Sequence, residues 1–231
     1  GSRVHLSNIN VPKNILEIPK LAALNVHSSL LPKYRGPAPI HWAVLNGDAQ
    51  TGVTVMRLAE TLDTGDILLQ ESTGINPEED GLELHARLAA MGASALIRSL
   101  ELLEKKEARF VLQDEKLATY ARKITKEDGR ILWNETAACI GARVRALAGW
   151  PGTFTFVNGK RILIHKASVV AGTASSAPAG QVISASEKEG IVVAAKNGLL
   201  RIERLQLEGK KALPAAQFLQ GAPLKAGDIL E

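Results

Sequence analysis

The sequence predicts two domains, an α/β domain in the first half and a smaller domain of short β-strands in the second. Helical and strand patterns alternate over the first half, which ends in a long amphipathic helical stretch. Short apolar runs separated by turn residues fill the second half. The predicted divisions are residues 1–108, a basic linker at 109–126, and residues 127–231.

The first half contains, in chain order, candidates for a strand, a helix, two strands and a long helix. The predicted strands are Leu24–His27 and residues 52–58 and 67–72. A short helix is predicted at residues 38–46, before a glycine. Asp80 followed three residues later by Glu83 is typical of a capping box, so a helix should begin there and run to about residue 105.

The second half begins with a helix candidate at residues 135–147 and continues as strands. These are predicted at Thr153–Val157 and at residues 161–166, 181–185, 191–195 and 199–206. Asn158 and Gly159 between alternating runs are a strong hairpin signal. Five short strands close most naturally as a small barrel of the oligonucleotide-binding type, with a sandwich as the alternative. Trp150 and Phe154 are predicted to lie in its core.

The composition and charge narrow the class of protein. Of 231 residues, 45% are apolar and 23% charged, which supports a packed core and excludes a disordered or fibrous chain. Cys139 is the single cysteine, so a disulfide framework is excluded and a reducing compartment is favoured. Residues 1–110 carry 11 basic and 13 acidic side chains (−2), and residues 111–231 carry 17 and 11 (+6), which together give +4. The basic second half weakly suggests a polyanionic partner such as nucleic acid.

The densest group of chemically capable side chains lies between Asn25 and Pro37. In a strand, Asn25 and His27 project from the same face, directly before a loop rich in Pro and Gly. A carboxamide beside an imidazole can stabilise an oxyanion, because the first donates a hydrogen bond and the second, when protonated, adds charge. On spacing alone, a histidine satisfied inside the domain remains the alternative.

A second candidate group is the acidic loop between the second and third predicted strands. It offers the Asp63 carboxylate, and Gly65 permits close approach of the backbone. If Asp63 faces His27, it would favour the imidazolium and move protons, as transfer of an acyl or formyl group to an amine requires. Solvated loop acids are the alternative.

Several segments together resemble the folate-dependent formyltransferases. They are Asn25 to Gly36, Ala38-Pro39-Ile40, Thr51-Gly52-Val53-Thr54-Val55-Met56 and Leu62-Asp63-Thr64-Gly65-Asp66. The motifs Gln113-Asp114-Glu115, Thr119-Tyr120-Ala121-Arg122-Lys123-Ile124 and Trp150-Pro151 resemble the linker and C-terminal domain of the branch that acts on methionyl-tRNA. The resemblance implies part of a doubly wound formyltransferase domain, followed by a tRNA-binding barrel.

The resemblance also implies a reaction. Asn25, His27 and Asp63 would be the catalytic group. The uncharged α-amine of initiator methionyl-tRNA would attack the formyl carbon of 10-formyltetrahydrofolate, while Asn25 and protonated His27 stabilise the oxyanion. Asp63 would orient His27 and assist proton movement through water. No metal ion is implied, and the product would serve translation initiation.

Substrate contacts follow from the same resemblance. Folate contacts are implied for Ser29, Leu30, Leu31, Pro32, Thr64 and Gly65. Basic residues neutralise phosphates, and the linker residues Arg122, Lys123 and Lys126 match the basic linker of the family. In the second half, the basic residues expected to bind tRNA are Lys160, Arg161, Lys210 and Lys211. Arg35 is assigned to loop structure in preference to substrate contact.

The start of the sequence departs from the family. Where the family has several βα units, only 24 residues precede Asn25, and Asn10 within segment 7–12 replaces part of an apolar strand that packs on the pterin. A fragment is the first explanation, a longer chain given only in part the second, and a divergent protein without catalysis the third. The family enzyme is expected to be a monomer, but a true fragment should self-associate. Without a signal-like start, a bacterial cytoplasmic location is expected.

Two other functions stay open. A related formyltransferase or hydrolase acting on a small amine or on formyltetrahydrofolate would keep the three residues without needing a basic second half. Salt-sensitive tRNA binding separates it from the leading hypothesis. In a non-catalytic nucleic-acid-binding module, substitution of Asn25 or His27 would change no measurable function.

Overall fold

The computed structural model describes residues 13–16, 18–172, 175–221 and 224–231. Two compact units make up the chain: Gly1–Ala43 with Asp48–Lys123, and Val44–Gly47 with Ile124–Glu231. The segment 7–12, in which Asn10 departs from the family pattern, lies outside the described residues. Within the described ranges, no helix is long and apolar enough to cross a membrane.

Among the described residues of the first unit, three antiparallel strands form a sheet, β1 (Leu24–His27), β2 (Gln50–Arg57) and β3 (Ile67–Gly74), in that spatial order. The helices of this region are α1 (Lys13–Leu16), α2 (Pro39–Leu45) and α3 (Gly81–Glu104). The predicted mixture of helices and strands is confirmed. The prediction of a doubly wound sheet is not supported, because the strands described in this unit pair antiparallel.

The long helix α3 covers one face of the sheet. Gly92 allows this close packing, since a Cβ there would lie 2.8 Å from Val26 Cγ1 and 3.9 Å from Val53 Cγ1. Successive strand residues point to opposite faces, so His27 and its cross-strand partner Thr54 lie on the side away from α3. Residues 51–56 of β2 are all buried, so both faces of this central strand are covered.

The start of α3 follows the predicted capping box. The Asp80 carboxylate accepts hydrogen bonds from the backbone N–H groups of Leu82 and Glu83, and the Glu83 carboxylate accepts one from the Asp80 N–H. These bonds satisfy donors that the first helical turn leaves without partners. The capping prediction is therefore confirmed.

A charged network ties α3 to the end of β3. The Arg87 guanidinium donates to both carboxylate oxygens of buried Glu79 at 2.8 and 2.7 Å, to the Gly74 carbonyl at 2.8 Å, and to the Thr73 hydroxyl. The hydrogen bonds from Arg87 outweigh the effect of burial and hold the pKa of Glu79 below its ordinary value.

Replacing Glu79 with Gln should lower the free energy of unfolding by about 1.5–3 kcal/mol at neutral pH, because Arg87 loses a charged partner. The pKa of Glu79 is lower in the folded protein than its unfolded value of 4.5, so the ionised carboxylate stabilises the fold above pH 4.5. This stabilisation is lost as the pH falls through the pKa of the folded protein. Urea titrations from about pH 7 to 3 should show a smaller acid loss in Glu79→Gln than in the original protein. The exposed neighbour Glu78, changed to Gln, is the control. Equal pH dependence in all three proteins would contradict this role.

In the described part of the second unit, six antiparallel strands lie in the order β4-β5-β8-β7-β6, with β9 beside β8. The bounds are β4 (Thr153–Val157), β5 (Lys160–Val170), β6 (Val182–Ser186), β7 (Gly190–Ala195), β8 (Gly198–Leu207) and β9 (Leu213–Pro214). Two helices accompany them, α4 (Ala137–Ala146) and α5 (Ala215–Gly221). Asn158 and Gly159 join β4 to β5 with positive φ angles, which confirms the predicted hairpin.

The sheet of the second unit is open, so the predicted closed all-β barrel is not found. Among the described residues, β4 and β6 at the two ends of the strand path do not pair with each other. Both edges instead bind residues near the C-terminus. Glu231 exchanges backbone hydrogen bonds with Phe156 of β4, and the Leu230 N–H donates to the Gly180 carbonyl, two residues before β6.

The core of the second unit is formed by apolar side chains of the sheet and of α4 and α5. Buried members include Ile140, Ile164, Leu200, Leu205 and Phe218. Phe154 is buried as predicted, but Trp150 is 51% exposed, so that core prediction was wrong. Trp133 lies in the core instead, where its indole N–H donates to the Thr155 hydroxyl at 2.9 Å.

Candidate active site

The sheet face away from α3 carries Asn25 and His27 side by side on β1. Asn25 lies opposite Met56, and His27 lies opposite Thr54. His27 is buried, whereas Asn25 is partly exposed. Among the described residues, no hydrogen-bond partner of the Asn25 carboxamide is found. Its N–H groups can therefore donate to a bound ligand.

The imidazole of His27 lies between two oxygen acceptors. Nε2 is 2.8 Å from the Tyr34 carbonyl oxygen, and Nδ1 is 3.7 Å from Asp63 Oδ2. A carbonyl only accepts, so Nε2 carries a proton. A neutral ring would then turn the Nδ1 lone pair towards the carboxylate, whereas a protonated ring turns an N–H towards it. The Asp63 carboxylate is therefore placed to stabilise positive charge on the ring during a reaction.

The Asp63 carboxylate is held by a tight turn. Its residue has a left-handed φ of 54°, and Oδ2 accepts a hydrogen bond from the Gly36 N–H at 2.8 Å. The turn packs closely on the end of β2, because a Cβ on Gly65 would lie 1.7 Å from the Arg57 carbonyl oxygen. The close approach predicted at Gly65 is confirmed.

The loop after β1 folds back on the sheet through its own polar atoms. The Ser29 hydroxyl donates to the Lys33 carbonyl at 2.6 Å, while Thr54 Oγ1 donates to the Ser29 carbonyl and accepts from the Leu31 N–H. Ser29 and Leu31 are buried, so their side chains are not at the surface. Among the residues implied in folate contact, those partly exposed are Leu30, Pro32 and Thr64.

The far side of this loop is anchored on Asp48. Its Oδ2 accepts from Lys33 Nζ at 2.7 Å and from the Tyr34 hydroxyl at 2.8 Å. Burial alone would lower the pKa of Lys33, but the hydrogen bond and charge of Asp48 raise it above its ordinary value. Lys33 therefore stays charged and fixes the loop.

Arg35 is engaged within the protein. Its buried guanidinium donates to Gln113 Oε1 at 3.1 and 2.8 Å and to both carboxylate oxygens of Glu115 at 2.9 and 2.7 Å. These bonds lower the pKa of Glu115 below its ordinary value. Gln113, which was not among the predicted site residues, donates to the Asp63 and Gly65 carbonyls. Its only signal in the sequence is its place in the Gln113-Asp114-Glu115 motif.

Comparisons with known proteins identify the family. The family described as "Formyl transferase" matches residues 9–100, and "Formyl transferase, C-terminal domain" matches residues 123–223. A methionyl-tRNA formyltransferase of Geotalea uraniireducens (strain Rf4) is 44% identical over 220 residues, which are 95% of this chain and 69% of that protein. The chain belongs to the methionyl-tRNA formyltransferase family. The Moorella thermoacetica member is also 44% identical, over 94% of this chain and 70% of its own length.

Solved structures share the formyltransferase fold. HypX from Aquifex aeolicus in complex with tetrahydrofolic acid has a TM-score of 0.66 and 20% identity, over 91% of this chain and 38% of that one. Methionyl-tRNA formyltransferase from Clostridium thermocellum has a TM-score of 0.54 and 21% identity, over 70% of this chain and 69% of that one. In the described part of this family member, no group of three or more His, Cys, Asp or Glu side chains could hold a metal ion.

The linker residues predicted to bind tRNA, Arg122, Lys123 and Lys126, are exposed. Arg122 is already engaged, with its guanidinium 4.9 Å from the centre of the Trp42 ring and Nη1 donating to the Lys123 carbonyl at 3.1 Å. Lys126 begins a short 3-10 turn and its side chain makes no cap bond.

The basic residues predicted in the second unit lie at the start of β5 and in the segment that follows β8. The β4–β5 hairpin and the turn after β8 meet where Glu208 N–H donates to the Arg161 carbonyl at 3.1 Å and Arg161 Nη1 lies 3.2 Å from Glu208 Oε1. The Arg161 guanidinium also stacks 3.9 Å from the Phe154 ring centre. Lys160 and Arg161 are the first two residues of β5, and Lys210 and Lys211 follow β8.

Proposed function

We propose that this chain transfers a formyl group from 10-formyltetrahydrofolate to the α-amino group of methionyl-tRNA. The observation that carries the proposal is the His27 ring, fixed between the Tyr34 carbonyl and the Asp63 carboxylate beside the available Asn25 carboxamide. Relatives that are 44% identical bear the name methionyl-tRNA formyltransferase. The bacterial sources of these relatives support the cytoplasmic location, which stays a prediction.

The three polar side chains have different tasks in this reaction. Attack of an amine on a formyl carbonyl places negative charge on the oxygen, and Asn25 would donate a hydrogen bond to it. Both nitrogens of His27 face protein acceptors, so the ring would contribute mainly its positive charge. Asp63 would hold that charge in place and assist, through water, in moving a proton from the attacking amine to N10 of the donor. The bond between N10 and the formyl carbon then breaks, so tetrahydrofolate leaves and the formyl group stays on the methionyl nitrogen.

The formyl donor would lie against the loop after β1 and the turn after Asp63. The donor supplies the carbonyl carbon that the amine attacks. Leu30, Pro32 and Thr64 fit contact with a bound folate because their side chains are partly exposed, whereas Ser29, Leu31 and Gly65 are buried. The last three would therefore shape the site through the backbone.

The two halves of the chain would have different functions. We assign formyl transfer to residues 1–108, a connection to residues 109–126, and tRNA binding to residues 127–231, which take in most of the basic excess. A monomer is expected for the whole family enzyme, and self-association is expected if this chain is a fragment. Size-exclusion chromatography with light scattering measures this directly.

The direct test is transfer of a labelled formyl group to methionyl-tRNA by the 231-residue chain. Labelled formylmethionyl-tRNA supports the proposal, and folded protein without product contradicts it. A small-molecule amine offered in parallel tests the alternative substrate class. Inactivity combined with salt-dependent tRNA binding would favour the nucleic-acid-binding alternative.

Removing two positive charges with Lys210→Ala and Lys211→Ala together should weaken tRNA binding and lower the slope of log K against log salt by about 1–2, as expected for one or two lost phosphate contacts. Filter binding or anisotropy over a salt series measures both quantities. Lys188→Ala, an exposed lysine between β6 and β7, is the control. Equal slopes for the double variant and the original protein would remove these residues from the tRNA site.

A further inference from the structure

Residues 113–121, called here the 113–121 segment, hydrogen-bond to both loops of the candidate site. The Thr119 N–H donates to the Pro32 carbonyl, and the Ala121 N–H donates to the Arg35 carbonyl at 2.7 Å. Gln113, at the other end, reaches the turn that carries Asp63. The segment therefore joins two loops that also contact each other through the Asp63–Gly36 bond.

At one end of the segment, Gln113 holds the backbone around Asp63. Its Nε2 donates to the Asp63 carbonyl at 2.9 Å and to the Gly65 carbonyl at 2.8 Å. Its Oε1 accepts two hydrogen bonds from Arg35, which fixes the orientation of the amide because a guanidinium only donates. Both hydrogens of the Nε2 group therefore point at the turn.

At the other end, Thr119 holds the peptide whose carbonyl binds His27. The Tyr34–Arg35 peptide donates its N–H to the Thr119 carbonyl at 2.9 Å, and its carbonyl oxygen lies 2.8 Å from His27 Nε2. Thr119 Oγ1 also accepts from the Tyr34 N–H at 2.8 Å. Tyr34 has a left-handed φ of 62°, a conformation that a side chain other than Gly adopts only when its surroundings impose it.

We propose that Gln113 and Thr119 are positioning residues that fix the two acceptors of the His27 ring. Gln113 would set Asp63 opposite Nδ1, and Thr119 would set the Tyr34 carbonyl opposite Nε2. The inference deepens the proposed function and rests on it for its kinetic consequence. Neither side chain is buried, so neither acts by filling the core. Removing either should disturb the ring more than the fold.

The experiment compares two pairs of variants. Thr119→Val removes the hydroxyl acceptor at similar volume, and Thr119→Ser retains it. Gln113→Leu removes the two hydrogen bonds accepted from Arg35 and the two donated to the Asp63 and Gly65 carbonyls. Gln113→Glu keeps an acceptor for Arg35 while replacing the donor to those carbonyls. Gln217→Ala, an exposed glutamine on α5, is the control for substitution as such.

Two measurements are made on each protein. The first is the exchange rate with water of the His27 ring N–H, detected by NMR and assigned by its absence in His27→Ala. The second is the separate determination of kcat and KM for methionyl-tRNA. We expect Thr119→Val and both Gln113 variants to exchange faster and to lose about 10- to 100-fold in kcat with little change in KM. Thr119→Ser and Gln217→Ala should behave as the original protein.

The outcomes separate this inference from the proposed function. If the original chain transfers no formyl group, the proposed function fails, and faster ring exchange in the three variants still supports the positioning of His27. Unchanged exchange and kcat in folded Thr119→Val and Gln113→Glu would overturn the inference while leaving the function intact. If Gln113→Leu does not fold, the Thr119 pair decides. A rise in KM alone, with kcat and exchange unchanged, would also overturn the inference.

Discussion

Replacing His27 with Ala should reduce formyl transfer by about 10³-fold or more, because the site loses both the charge that stabilises the oxyanion and the partner of Asp63. The Asn25 hydrogen bond remains, so a small residual rate is expected. The measurement is the single-turnover rate of formylmethionyl-tRNA formation. tRNA affinity, measured at the same salt concentration, should not change, because the ring is buried within the first unit.

A matched control removes a histidine outside the site. His85 is exposed on α3, on the opposite side of the sheet from His27, and His85→Ala should keep the original rate. Near-UV circular dichroism of both variants shows whether the protein is folded. If folded His27→Ala keeps more than about a tenth of the original rate, the His27 ring does not stabilise the oxyanion as proposed, and the mechanism is contradicted.

Local signals predicted the elements that need only neighbouring residues. The capping box at Asp80 and Glu83 and the hairpin at Asn158 and Gly159 depend on residues at most three apart, and both are confirmed. The common face of Asn25 and His27 is local in the same sense, because side chains two apart in a strand share a face. Close packing at Gly65 was expected from residue type.

Long-range contacts could not be predicted from such local sequence patterns. Gln113 lies 50 residues along the chain from Asp63, and Thr119 lies 85 residues from Tyr34, in a stretch without apolar periodicity. Other hydrogen bonds of the same segment, such as those from Thr119 to Pro32 and from Ala121 to Arg35, join backbone atoms. Every residue has these atoms, so side-chain identity gives no signal for such bonds. The open sheet of the second unit has a similar cause, since edge pairing with Glu231 depends on where the C-terminal residues fold back.

Replacing Gly65 with Ala should be the most damaging small substitution in the site. The added Cβ would lie 1.7 Å from a backbone oxygen, that of Arg57, and backbone cannot move aside as a flexible side chain can. The turn must shift as a whole, so we expect a loss of about 1–3 kcal/mol in the free energy of unfolding. Because Asp63 lies in the same turn, kcat should fall about 100-fold.

The control for Gly65→Ala is Gly221→Ala, where an added Cβ meets nothing within 4 Å. That change should leave activity and stability nearly unaffected. Urea unfolding and the formyl-transfer rate, measured on both variants, distinguish two accounts of the site. If Gly65→Ala loses stability but keeps its rate, the turn tolerates displacement and Asp63 need not be fixed opposite Nδ1. If rate and stability fall together, catalysis depends on the close packing of the turn against β2, because that packing sets the distance between the carboxylate and the imidazole.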